Sequence, residues 1–245
     1  MRSSYVCLLS LILLAGCGST KEDFKDRSPN SIYQKGLALL NEGEYTDAAE
    51  EFKDIETLFP YSSLANEGQV LSAYSYFRAK KYDDAMRQLE VFLRYHPAHK
   101  LVPYALYLKA MCLYMQVASV GRGAENALEA KKAFVTLVNK FPTSEYYQDS
   151  LKKIIILDDI TAAHEMSIGR YYQKNNNALA ALGRYNFVVS RLPHTNFATE
   201  ALFRVIECCL SLNLKDEASD AYEALKHGAP NSTWRTKADL LMKTN

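Results

Sequence analysis

The stretch Tyr45-Thr46-Asp47-Ala48-Ala49-Glu50-Glu51-Phe52-Lys53-Asp54-Ile55-Glu56-Thr57-Leu58-Phe59-Pro60 carries an alanine twelve positions before its proline, an aromatic eight before it and an aliphatic five before it. The same offsets recur four times. Ala85, Leu89 and Phe92 precede Pro97; Ala130, Phe134 and Leu137 precede Pro142; Ala181, Tyr185 and Val188 precede Pro193; Ala218, Tyr222 and Leu225 precede Pro230. Separations of four and three put each set on one face of a helix. The proline then ends that helix, because it lacks an N–H and disfavours helix in the residue before it. Successive prolines lie 37, 45, 51 and 37 residues apart, so a constant unit holds eight extra residues in its third copy and fourteen in its fourth.

Twelve positions before three of the alanines stand Gly36, Ala73 and Gly169. A small residue on each of two helices lets their backbones approach closely, so a first helix A is predicted upstream of each helix B. This pattern resembles the tetratricopeptide repeat. The expected fold is all-α, a tetratricopeptide-like α-solenoid of five helix pairs. A C-terminal capping helix, roughly Trp234 to Lys243 with Ser232 or Thr233 as its cap, would cover the open end. The extra residues of the third unit fall in 116–126, around Gly121-Arg122-Gly123, and are expected to form a loop between helices. Those of the fourth fall in 146–162, where Leu151, Ile154, Ile155, Leu157 and Ile160 keep a helical period; they lengthen helix A to about thirty residues, Tyr146 to Lys174.

The N-terminus reads as a targeting segment. Arg2 supplies one positive charge, Tyr5 to Leu14 is an apolar run of ten, and Leu14-Ala15-Gly16-Cys17 follows. At about 1.5 Å per residue that run spans about half of a bilayer core, too little for a transmembrane helix. Leu-Ala-Gly-Cys resembles the lipobox of bacterial lipoproteins, the other reading being a secretory signal with an incidental cysteine. The expectation is a signal peptide over 1–16, a lipid on Cys17 and a flexible polar tether over 17–28. Gly18 stands where, in enterobacterial lipoproteins, aspartate favours the inner membrane, so by resemblance the address is the outer membrane.

Composition narrows function mainly by exclusion. With 29 Lys+Arg against 28 Asp+Glu, the chain has no basic excess for nucleic acid. No phosphate-binding loop, nucleophile elbow, His-Glu-x-x-His or Cys-x-x-Cys is present. His96 and His99 flank Pro97 at a helix end and read as loop residues. Asp158 and Asp159 are adjacent and diverge around a helix, as do His164 and Glu165. The expectation is a non-enzyme with no metal and no cofactor beyond the lipid. Cys112, Cys208 and Cys209 remain after Cys7 and Cys17 are assigned, and read as small apolar core residues without disulfides.

The one compositional excess is tyrosine, at 17. In a tetratricopeptide stack the A helices line the concave groove. Mapped by position, the first three units present Tyr33 and Leu37; Val70, Tyr74 and Arg78; and Tyr104, Tyr107 and Met111. That is an aromatic, weakly basic groove suited to extended peptides, unless the tyrosines pack between helices. Units four and five present Met166, Arg170, Lys174, Glu200, Phe203 and Glu207, a mixed-charge surface. The division expected is 29–142 for cargo, with Tyr33, Tyr74, Arg78, Tyr104 and Tyr107 as binding residues, and 143–245 for partner docking.

A lipobox followed by five such units, with inserts in the third and fourth, resembles the BamD (ComL) family of outer-membrane assembly lipoproteins. The resemblance rests on Ala48 to Pro60 with Tyr61-Ser62, Phe92-Leu93-Arg94-Tyr95-His96-Pro97-Ala98-His99, Tyr104-Ala105-Leu106-Tyr107, Phe141-Pro142-Thr143-Ser144-Glu145-Tyr146 and Ala181-Leu182-Gly183-Arg184-Tyr185. It implies a periplasm-facing, outer-membrane-anchored subunit of the β-barrel assembly machinery, with other Bam lipoproteins as neighbours. The N-terminal units would receive targeting segments of unfolded outer-membrane proteins, which end in an aromatic. The C-terminal units would hold a periplasmic domain of the barrel subunit BamA, with Arg184 at that interface. A type IV pilus pilotin, a peptidoglycan-binding protein and an envelope enzyme are the competing readings.

Overall fold

The computed structural model describes residues 27–117 and 123–244. Among the described residues the chain forms eleven α-helices and no strand: α1 (Pro29–Glu42), α2 (Tyr45–Leu58), α3 (Ala65–Arg78), α4 (Tyr82–Tyr95), α5 (Val102–Val117), α6 (Gly123–Lys140), α7 (Tyr147–Lys174), α8 (Ala178–Arg191), α9 (Ala198–Ser211), α10 (Lys215–Gly228) and α11 (Thr233–Thr244). Odd and even helices up to α10 are the A and B members of five pairs, and each packs mainly on its neighbours in sequence. The expected all-α solenoid is thus the fold. The segments 1–16 and Cys17 lie outside the described residues. Of the expected tether only Arg27 and Ser28 are described, and both belong to the first repeat. Ser28 Oγ accepts from the Ser31 N–H at 3.1 Å while Ser31 Oγ accepts from the Ser28 N–H at 2.9 Å, a capping box with Pro29 in the first turn. Arg27 meets Glu51 at 2.7 Å and Asp54 at 2.9 Å on α2.

The residues read from the offsets are the core. Ala48, Phe52 and Ile55 are fully buried, as are Ala85, Leu89 and Phe92, and Ala181, Tyr185 and Val188. The small residues of helix A accommodate the large residue of helix B rather than its alanine. A Cβ added to Gly36 would lie 2.7 Å from Phe52 Cε1, and one on Gly169 would lie 2.5 Å from Tyr185 Cε1. Ala73 occupies the same register where the ring is replaced by Leu89, and both are fully buried in one cluster. In the fifth unit the register holds Ile206, and Tyr222 is only partly buried; its hydroxyl donates to Asp239 of α11 at 2.8 Å.

Turns repeat as strictly as helices. Five residues before Ala48, Ala85, Ala181 and Ala218 the chain adopts positive φ, at Gly43 (88°), Lys80 (60°), Asn176 (59°) and Asn213 (58°). This left-handed residue closes helix A and re-aims the chain into helix B. At the other end, the residue two after each proline donates its N–H to the carbonyl just before that proline, at 2.9–3.1 Å: Ser62 to Phe59, His99 to His96, Ser144 to Phe141, Thr195 to Leu192 and Ser232 to Ala229. Proline's fixed φ suits it to the second position of such a turn.

The inserts resolve differently. Helix α7 runs 28 residues, close to the expected thirty. In the third unit α6 already begins at Gly123, so the tail of 116–126 is helix and not loop; buried Ala127 packs there with Val117 and Phe134. The remainder, 118–122, lies outside the described residues. The capping helix α11 starts at Thr233, with Ser232 Oγ accepting from the Arg235 N–H at 3.1 Å. It leans mainly on α9, through Trp234 against Phe203 at 5.3 Å between ring centres. Successive A helices touch directly (α1 with α3, α3 with α5, α7 with α9), whereas successive B helices do not come comparably close. The A layer is therefore the inner, concave one. No helix among the described residues is long and apolar enough to cross a membrane.

Candidate functional site

Tyr74 and Arg78 stand one turn apart on α3, the spacing at which side chains meet on a helix. The Arg78 guanidinium donates to Tyr74 Oη at 2.8 Å and to Tyr45 Oη at 2.5 Å. Its carbon lies 4.6 Å from the Tyr45 ring centre and 5.7 Å from that of Tyr74. This exposed cation therefore has two phenols and no carboxylate among its partners. Tyr45 was not among the expected site residues. Its signal was present: Tyr45 and Tyr82 open their helices at the same register, beside the end of the preceding helix A.

A second aromatic group lies on α5 and the start of α7. Tyr107 stacks on Tyr146 at 4.8 Å and 22°, and its hydroxyl donates to Asp149 at 2.8 Å. Tyr104 approaches Tyr146 at 5.5 Å. Burial pushes the phenols of Tyr104 and Tyr107 upward, helped in Tyr107 by the Asp149 carboxylate; that of Tyr146 is pushed to about 12 by burial and by Glu145. All three are neutral at physiological pH. A cleft of about 220 Å³ opens here between Lys100, Pro103, Tyr104, Ser144, Glu145 and Tyr146. Tyr74 and Tyr104 pack on one apolar cluster and are close enough to interact electrostatically, so the two groups form one row from Arg78 to Tyr146.

Tyr33 is less a groove residue than a spacer. It meets Phe52 edge-on at 5.9 Å and its hydroxyl donates to Glu67 at 3.3 Å, tying α1 to α3. Glu67 is seven residues before Tyr74, about 10 Å along the helix, so Tyr33 lies outside the row. Val70, Met166 and Phe203, mapped to the groove by repeat position, are instead buried core. A groove position in a generic repeat faces inward here wherever the next helix covers it.

In the C-terminal half the mixed charges neutralise one another. Arg170 meets Glu200 through two bonds, at 3.2 and 2.8 Å; Arg204 bridges Glu200 (3.3 Å) and Glu207 (2.9 Å). Gln173 donates to Glu207 at 3.0 Å and accepts from buried Tyr185 at 2.9 Å. Arg184 is exposed and reaches back across the α7–α8 seam to Glu165 at 3.1 Å, rather than pointing away from that seam. Asp158 and Asp159 serve the fold: Asp158 holds Lys131 (2.5 Å) and His194 (2.9 Å), and Asp159 accepts both the backbone and side-chain N–H of Asn196. Cys112, Cys208 and Cys209 are free and buried, as expected. Among the described residues no cluster of three or more His, Cys, Asp or Glu is placed to hold a metal.

The YfiO family, described as "Outer membrane lipoprotein", matches residues 25–225. This chain belongs to the YfiO family. Relatives called "Outer membrane protein assembly factor BamD" match over nearly all of this chain: that of Rickettsia prowazekii is 35% identical over 95% of this chain and 93% of its own. The Caulobacter vibrioides protein is 31% identical over 95% and 77%, and that of Neisseria gonorrhoeae 30% over 94% and 91%. In fold, this YfiO member is similar to a tetratricopeptide-repeat protein of Bacteroides fragilis, with TM-score 0.52 at 14% identity over 89% of this chain and 98% of the other. That likeness speaks to the solenoid alone.

Proposed function

We propose that the protein is an outer-membrane-anchored scaffold of β-barrel assembly. On this reading the row from Arg78 to Tyr146 receives targeting segments of unfolded outer-membrane proteins, and the C-terminal units dock a BamA-type barrel subunit. The observation that carries it is the Arg78–Tyr45–Tyr74 cradle. A guanidinium that bonds only phenols keeps its charge for an incoming carboxylate, and the adjoining tyrosines offer flat apolar faces for an aromatic ring. An extended peptide rises about 3.3 Å per residue, so it meets a new A helix about every three residues when helices are about 10 Å apart. Neutral phenols along the row add hydrogen bonds without repelling the carboxylate.

The relatives' designation as assembly factors supports the partner, and Arg184 is the residue this reading assigns to that contact. Because Arg184 already shares Glu165, an acidic partner residue would join an existing pair, so its contribution falls between a rim contact and a buried one. Cys17 carries the lipid in this reading, with the periplasm-facing outer membrane as its address. Lipidated protein solubilised from membranes is expected to retain the barrel subunit, and Arg184→Glu to lower its recovery severalfold. Cys17→Ala is expected to lose fatty-acid labelling and the membrane fraction. Recovery of other envelope proteins without any barrel subunit would contradict the assignment.

A further inference from the structure

The outer face of the C-terminal units holds a groove that the proposed function does not use. Helices α8 and α10 stand apart over α9, leaving a depression of about 360 Å³. Leu182 and Val189 of α8 form one wall and Leu202 and Val205 of α9 the floor. Glu217 and Asp220 of α10 stand on the opposite rim, both exposed, and neither has a hydrogen-bond or ion-pair partner within the described residues. Glu165, Glu200 and Glu207 of this half are by contrast paired. Leu182, Val189 and Leu202 are partly exposed there, with Val205 buried beneath them, and among the described residues no element covers this face.

We infer that this groove docks an amphipathic helix of a partner protein, with an apolar stripe and lysine or arginine along the flank facing α10. The wall pair Leu182 and Val189 lies seven residues apart, about two turns of helix, and the floor pair Leu202 and Val205 and the rim pair Glu217 and Asp220 each lie three apart, about one turn. A helix laid into such a groove anchors itself through side chains at i, i+3 or i+4, and i+7. The charge requirement comes from the rim: an acidic flank would meet two unpaired carboxylates, whereas a basic flank would pair with both. Arg184 lies on another side of α8, toward α7, so this surface is separate from the contact assigned to the barrel subunit.

The test uses the whole mature protein and two labelled helical peptides. Both carry leucine at i, i+4 and i+7; one has lysine along a flank and the other glutamate. Fluorescence anisotropy is expected to show the lysine peptide binding at least tenfold more tightly than the glutamate peptide, and weakening as salt rises. Glu217→Lys with Asp220→Lys is expected to reverse the preference. Ala224 is exposed on the groove margin, so Ala224→Trp fills the depression without touching the core, and it should abolish binding of both peptides. Peptides bound equally well by all variants would overturn the inference. So would concentration-dependent dimerisation abolished by Ala224→Trp, which would assign the groove to a second copy of this chain.

Discussion

Gly169 and Tyr185 interlock across the α7–α8 seam: the Cβ that Gly169 lacks would lie 2.5–2.9 Å from three atoms of the fully buried tyrosine ring. The ring cannot retreat easily, since its hydroxyl is tied to Gln173. Gly169→Ala is therefore expected to destabilise the fold by about 1–3 kcal/mol, as overpacked cores do. The second unit shows the compensating arrangement, with alanine facing leucine. Gly169→Ala with Tyr185→Leu should cost less than the sum of the two single changes by urea denaturation. Strict additivity would mean the two side chains do not share one space.

Asp158 is the hub of the joint between units three and four. Its carboxylate is nearly buried, while Lys131 and His194 are partly exposed and can regain water when it is removed. Asp158→Ala should thus cost less than breaking a fully buried pair, about 1–2 kcal/mol against 3–5 kcal/mol. Amide exchange should quicken in the turn at 193–197 and in the middle of α6, and remain unchanged in α1 to α4, because repeats couple only to neighbours.

Alkaline pH gives a third check. Burial raises the Cys208 thiol to about 11 and the Tyr185 phenol to about 12, from 9.0 and 10.0. Between these values the unfolded chain loses protons that the folded chain retains, so stability falls as pH rises. The urea midpoint should be flat from pH 7 to 8 and decline progressively from about pH 9 to 12. Consistent with that, maleimide should label Cys112, Cys208 and Cys209 slowly at pH 8 and rapidly in denaturant.

The helices were legible because their determinants are local and repeated. Offsets from each proline name Phe52, Leu89, Phe134 and Tyr185 as core, and the unbroken period from Leu151 to Ile160 lengthens α7. Of the positive-φ turns, Gly43, Asn176 and Asn213 carry the residue types that tolerate such a conformation, but Lys80 does not, and only the repeat register points to it. The groove was half legible. Repeat positions name Tyr74, Arg78, Tyr104 and Tyr107 correctly as neighbours along the concave face. They fail at Val70, Met166 and Phe203, because whether a helix-A residue faces the groove depends on how closely the next helix approaches. Tyr45 and Tyr146 escape notice for a related reason: they belong to helix starts, and only the stacking of units brings them to Arg78 and Tyr107.

The central claim is that the row from Arg78 to Tyr146 reads a peptide ending in an aromatic residue with a free carboxylate. The direct measurement is fluorescence anisotropy of a labelled extended peptide ending in phenylalanine, titrated with the mature protein. Binding in the micromolar range is expected, about −8 kcal/mol at 1 μM. Replacing the terminal phenylalanine by alanine, or Tyr74 and Tyr107 by alanine, should each weaken it about tenfold. Amidating the peptide's carboxylate should weaken it severalfold, and that penalty should vanish in Arg78→Gln. Unchanged affinity after all these substitutions, or crosslinking of the peptide only to residues beyond Asp149, would contradict the account.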